Sequence, residues 1–153
     1  MIPVSFNASV YRGRDGQVQG VFGIARDIRE RQRMMRESEE ARSYARSLIE
    51  SCPDMMVAID REGRVMDVNE ATVRLTGQAR SALIGSLFKI HFFDPMKAQE
   101  GVRRAYAEGS VRRYELDLLD QHGRRIPVSF NASQYLDAHG QIAGVIAIAR
   151  TSD

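Results

Sequence analysis

The ten residues IPVSFNASQY, Ile126–Tyr135, alternate apolar and polar side chains with the period of a β-strand. Nearly the same phrase, IPVSFNASVY, occupies Ile2–Tyr11. Laid over each other without a gap, Ile2–Arg26 and Ile126–Arg150 agree at sixteen of twenty-five positions, so they are two copies of one unit set 124 residues apart. In each copy the strand runs into a short polar loop, RGRDGQ (Arg12–Gln17) or LDAHGQ (Leu136–Gln141), with glycine where a positive φ is expected. A second strand follows, Val18–Arg26 or Ile142–Arg150. It is apolar on both faces, which predicts a central strand covered on both sides. Each copy therefore reads as a β-hairpin, and two copies this far apart do not make a solenoid. The NAS triplets at Asn7 and Asn131 match a glycosylation pattern but are read as strand residues.

Outward from the first hairpin, Arg26–Asp54 is filled with helix formers, lacks glycine and ends at Pro53. Met34, Ser38, Ala41, Ala45, Leu48 and Cys52 step by four and three, a heptad seam of mostly small residues. The other faces are charged. Beyond Pro53, Met55–Asp60 and Arg64–Val68 flank a turn and predict a hairpin. Asn69 is placed to cap a helix that stops at Gly77. Ser81–Phe88 reads as a short helix and turn, and Asp94–Gly109 as a helix capped by Asp94 with Pro95 in its first position. Val111–Arg125 is a strand and turn leading into the second hairpin. The order from Met55 on is β-β-α-α-α-β-β-β, an α+β domain with a five-stranded antiparallel sheet and its helices on one face.

Composition narrows the function. The chain has 153 residues, 43% of them hydrophobic and 27% charged, enough to bury a core. Net charge is +2 with both signs interleaved, which leaves no nucleic-acid or anionic-membrane footprint. The single Cys52 excludes an internal disulfide, and no apolar run approaches a membrane span, so a cytoplasmic location is expected. No kinase motif, phosphate-binding loop or phosphoacceptor-histidine box occurs, and no catalytic constellation or metal-ligand spacing. The chain is read as a non-enzymatic module.

Four phrases resemble the PAS domain family: LIESCPDMMVAID (Leu48–Asp60), DVNEATVRLTGQARSALIGSLF (Asp67–Phe88), DQHGRRIPVSFNAS (Asp120–Ser133) and GQIAGVIAIAR (Gly140–Arg150). The resemblance implies a PAS domain over residues 53–153. It implies that residues 1–26 are the last two strands of a preceding PAS domain and that residues 27–52 are a signalling linker helix. ARDIRERQR (Ala25–Arg33) is similar to the junction between a PAS domain and such a helix, with Asp27 and Ile28 as the junction residues and Arg29 where threonine is usual. The family implies a sensory or regulatory module of a signal-transduction protein, a histidine kinase or similar. Its partners would be neighbouring domains of a longer protein and a second copy of the chain, met through the linker helix, the N-terminal hairpin, or both. The hairpin in particular is expected to bury its apolar faces against a second chain.

The alternative is a receptor for haem, flavin or a small metabolite. Phe88, Phe92, Met96, Val102, Tyr106, Leu116, Leu118, Phe130, Ile146 and Ile148 are the candidate pocket between sheet and helices. Neither coloured cofactor is supported by the residues. Haem-binding relatives ligate from the helix matching Asp94–Gly109, which holds no histidine here; His91, His122 and His139 lie elsewhere. Photoactive flavin relatives need a cysteine early in the helical region, whereas Cys52 precedes the first strand. No cofactor is expected, and the purified protein should be colourless.

Overall fold

A computed structural model describes residues 1–152. It divides into two units, Met1–Arg46 and Ser47 onward.

The first unit holds the first sequence copy. β1 (Val4–Arg12) and β2 (Val18–Asp27) pair antiparallel from Val4↔Asp27 to Tyr11↔Gly20, with a bulge between Tyr11 and Arg12. The turn closes through Gly16, at φ 80°, a conformation that glycine enters without strain. The Phe6 ring lies over Gly23, where an added Cβ would come within 2.3 Å of it. No residue of either strand is buried. The helix expected over Asp27–Cys52 spans Arg29–Ser51, as α1. Asp27 remains in β2, and its carboxylate accepts from the Arg29 amide (2.9 Å), which caps the helix start. The Arg29 guanidinium also bonds that carboxylate and holds the Asp27 pKa below its ordinary value. Ile28 N donates to Pro3 O (3.3 Å) and ties the junction to the start of β1. No residue of α1 is buried; Met34 and Leu48 of the expected seam are 61% and 54% exposed, and Cys52 falls one residue past the helix.

The second unit is the α+β domain. Its strands are β3 (Met55–Ile59), β4 (Val65–Val68), β5 (Ser110–Leu119), β6 (Arg125–Leu136) and β7 (Ile142–Thr151), in the antiparallel order β4-β3-β7-β6-β5. Between β4 and β5 come α2 (Glu70–Thr76), α3 (Arg80–Leu83), a 3-10 turn (Phe88–His91) and α4 (Pro95–Glu108). The caps are those read from the sequence. The Asn69 side chain accepts from Thr72 N, Gly77 closes α2 at φ 70°, and Asp94 accepts from Lys97 N with Pro95 at the first position of α4.

β7 is central, between β3 and β6, as its apolar run predicts. One face of it is sealed: Val145, Ala147 and Ala149 are at most 2% exposed beneath the helices. The expectation of cover on both faces is corrected for the other, where Ile148 is 37% exposed. Gly144 is required on β7 because a Cβ there would stand 2.3 Å from the Ile59 carbonyl of β3. β5 carries a bulge between Val111 and Tyr114, with Arg113 at φ 53°; the amide this leaves without a ladder partner donates to Asn131 Oδ1 (3.0 Å).

Candidate functional site

Two places in the PAS-like unit gather polar groups with a structural purpose: the seat of the α1 end and a cleft beside α4.

Asn69 is fully buried at the mouth of α2. Its Oδ1 accepts from Met56 N (3.0 Å) and Thr72 N (3.2 Å), with Thr72 Oγ1 2.9 Å away. Its Nδ2 donates to Ile49 O (3.1 Å) and Asp54 O (2.9 Å). One amide thus joins the last turn of α1, the start of β3 and the start of α2. Beside it, Glu50 accepts from Glu70 N (2.9 Å) and pairs with Arg80 (3.1 Å). Arg80 also reaches Asp67 and Glu70 and donates to the Val68 carbonyl. At the far end of the sheet's central strand, Arg150 Nε bonds Asp54 Oδ2 (2.8 Å), so the residues just after α1 also meet the end of β7.

Of the ten candidate pocket residues, the structure brings seven together. Phe88, Phe92, Leu116, Leu118 and Phe130 are buried, with Val102 and Tyr106 packed against them. The rings of Phe88, Phe92 and Phe130 stand 4.7–5.8 Å apart in tilted and edge arrangements. The other three face elsewhere: Met96 is 71% exposed, and Ile146 and Ile148 lie on the outer face of β7. Two small gaps of about 20 Å³ each lie in this core, one beside His91 and one beside Ala98, each the size of about one water.

A cleft of about 290 Å³ opens beside this core, between α4, the 3-10 turn and the β3–β4 turn. Arg61, Lys89, Gln99, Val102, Arg103 and Tyr106 line it. Gln99, Val102, Arg103 and Tyr106 repeat at i, i+3, i+4, i+7, so they share one helix face. Val102 and Tyr106 of this face are among the candidate pocket residues read from the sequence; Gln99 and Arg103 are not. The Tyr106 hydroxyl is buried and has no partner among the described residues. Burial, with the Asp60 charge nearby, pushes its phenol pKa up.

His91 sits in the core wall at 8% exposure. Its Nε2 is 2.7 Å from Ser86 Oγ, which itself donates to Leu83 O (2.5 Å), so the imidazole donates through Nε2. Burial lowers its pKa. The folded state therefore keeps His91 neutral while the unfolded chain protonates it near 6.5. Stability is expected to be undiminished above that pH and to fall as pH drops through it towards the lower folded value. Urea midpoints at pH 7.5 and 5.5 check this, and His91→Gln should flatten that part of the profile. Among the described residues, no three His, Cys, Asp or Glu side chains cluster as a metal site, and no helix is long and apolar enough to cross a membrane.

The PAS resemblance implied a five-stranded antiparallel sheet with its helices on one face, and the second unit has that architecture, with strands in the order β4-β3-β7-β6-β5. The family model described as PAS fold matches residues 43–151. The chain belongs to the PAS family. The signal transduction histidine-protein kinase AtoS of Escherichia coli K12 is 27% identical over 137 residues, covering 89% of this chain and 21% of that protein. A phytochrome of Picea abies is 25% identical and covers 91% of this chain and 14% of its own length. The chain thus spans about a fifth or less of these curated relatives. The PAS domain of an HTR-like protein from Haloarcula marismortui superimposes with a TM-score of 0.65 at 20% identity, covering 79% of this chain and 99% of that one. The PAS unit of this chain begins within α1, so the family match includes the helix end that Asn69 and Arg80 hold.

Proposed function

We propose that this chain is a regulatory module of a signal-transduction protein, of the histidine kinase kind or similar, in which the PAS unit and α1 exchange conformational state and α1 pairs with its copy in a dimer. The observation that carries this reading is the seat of the α1 end. Ile49 O, Glu50 and the residues after Pro53 are held by Asn69 and Arg80, which also hold β3, β4 and α2. A rearrangement of the PAS core at these groups changes the footing of the helix directly. The relatives AtoS and phytochrome are signalling proteins by name, which supports the same class.

The paired helix is tested at its seam. Ala45→Leu should tighten a parallel dimer about tenfold or more, since each buried CH₂ contributes roughly 0.8 kcal/mol and 1.4 kcal/mol is tenfold. Ala45→Glu should weaken it. Sedimentation velocity over a concentration series reads both, and unchanged self-association in Ala45→Glu would count against the dimer. For the relay itself, the chain is joined in frame to a dimeric kinase catalytic region. Arg80→Ala should then change autophosphorylation while circular dichroism shows the PAS unit still folded.

A second reading, ligand reception, is favoured by the cleft beside α4. Its lining mixes the cations Arg61, Lys89 and Arg103 with Glu62, and Arg61 and Arg103 already donate to Ile142 O and Glu100; Tyr106, whose buried hydroxyl has no partner among the described residues, lines it as well, a mixed polar wall that a small polar molecule could meet. Native mass spectrometry of the protein purified from cells, with Tyr106→Phe as control, separates an occupied cleft from an empty one.

A further inference from the structure

The two sequence copies have folded into the same object. Every β1–β2 register pair from Ser5↔Arg26 to Arg12↔Val18 recurs 124 residues later in β6–β7, from Ser129↔Arg150 to Leu136↔Ile142, with the bulge at the same step. The turn bonds recur too: Gly13 N to Gln17 O matches Asp137 N to Gln141 O. The exit bond Ile28 N to Pro3 O matches Ser152 N to Pro127 O. The tyrosine over a glycine recurs as Tyr11 over Gly20 and Tyr135 over Gly144.

The environments differ. In the second copy Val128, Phe130, Ala132, Gly144, Val145, Ala147 and Ala149 are buried. Their counterparts are the same residues in all but one case, Gly23 for Ala147. The differences between the copies lie almost wholly at exposed and half-buried positions and in the turn. A lone ribbon gains nothing from keeping Val4, Phe6, Ala8, Val21 and Ala25 on one face, because two strands cannot cover it. Two polar positions say the same. Asn131 takes the bulge amide of β5 and Arg150 takes the Asp54 carboxylate, whereas Asn7 and Arg26 have no such partner among the described residues.

We propose that β1–β2 closes another PAS unit, as its last two strands, on a polypeptide of the same fold that supplies everything before them. That partner presents a bulged strand like β5 to the free edge of β1, with an amide for Asn7. It presents a strand like β3 to the free edge of β2, with a carboxylate for Arg26, and it lays a helix like α4 over Phe6 and Val21. A second copy of this chain does not fit the role. Its β3 and β5 edges are already taken by β7 and β6, so exchanging hairpins leaves one uncovered, and pairing two hairpins supplies neither the bulge amide nor the free carboxylate.

The test extends the full chain with its own first part. Residues 47–125 are placed directly before Ile2, so that Arg125 joins Ile2 as it natively joins Ile126. Hydrogen exchange by mass spectrometry is read on β1–β2, with β6–β7 as the internal standard. In the 153-residue chain the hairpin amides should exchange freely, and in the extended chain they should be protected by about a hundredfold or more. Hairpin amides still unprotected in the extended chain would overturn the proposal. So would concentration-dependent protection in the original chain, which assigns the hairpin to a second copy. To separate misfolding of the longer chain from failure of the proposal, a second variant places Ile2–Arg26 in the position of Ile126–Arg150. It should unfold cooperatively with a PAS-like far-ultraviolet spectrum, and failure to fold there also overturns the proposal.

Discussion

Asn69→Ala should lower the stability of the PAS unit by about 3–4 kcal/mol, a large share of the roughly 5–15 kcal/mol available to a domain. The side chain is fully buried and bonds four backbone groups: Met56 N, Thr72 N, Ile49 O and Asp54 O. Alanine removes both ends of the amide and leaves those groups without a partner in a place too tight to readmit several waters. Each buried unsatisfied group costs about 1–3 kcal/mol, partly recovered where the edge of the site relaxes. Asn69→Asp separates the two halves of the amide. It keeps an acceptor for Met56 N and Thr72 N but turns an ionised oxygen towards Ile49 O and Asp54 O, two acceptors. It should be at least as damaging as alanine at neutral pH and recover part of the loss as pH falls, because the protonated acid can donate. Urea midpoints with an unchanged m-value read the effect. A loss below about 1 kcal/mol in Asn69→Ala would show that the amide does not join these elements. The variant should also loosen the last turn of α1, read as faster exchange at Ile49–Ser51, which connects the stability effect to the proposed relay.

Local signals carried most of the fold into the sequence. Asn69, Gly77, Asp94 and Pro95 act within one turn of their own backbone, and all cap where their spacing places them. The hairpins were legible for the same reason: alternation, a glycine turn and a repeat fix register without reference to anything distant. The site was less legible because its geometry is made of distant pairs. Asn69 reads as an N-cap, which uses only its bond to Thr72; its bonds to residues 49, 54 and 56 follow from how α1 enters the sheet. Arg80 looks like any surface arginine at the start of α3 until Glu50, Asp67 and the Val68 carbonyl close around it. Ile146 and Ile148 were placed in the pocket because β7 is apolar on both faces, and alternation does not say which face the helices cover; Met96 lies in the first turn of α4 and points out at 71% exposure. The cleft beside α4 was missed because Arg61, Lys89 and Gln99 carry the polarity of solvent-facing residues, and only the turn of the chain at Gly63 brings them together.

Phe130→Ala and Phe6→Ala change the same residue in the same phrase and register, and should differ by nearly the whole cost of an aromatic core deletion. Phe130 is 3% exposed, with its ring 5.5 Å from Phe92 and 5.8 Å from Phe88. Truncation to alanine removes its transfer energy and leaves a cavity beneath α4, at a cost of about 3–5 kcal/mol. The edge contacts to two rings place it in the upper part of that range. Phe6 is 63% exposed and lies over Gly23 of its own hairpin, so its loss should change PAS-unit stability by less than about 0.5 kcal/mol. Chemical denaturation monitored by far-ultraviolet circular dichroism measures both in the 153-residue chain. A Phe6→Ala loss above about 1 kcal/mol there would mean the hairpin is already part of a folded core. In the chain extended by residues 47–125 the difference should vanish, because each phenylalanine then closes an equivalent core and each alanine opens an equivalent cavity. The energetic weight of IPVSFNAS lies in the strands and helices around it, and the same eight residues are idle or indispensable according to what stands at their two edges.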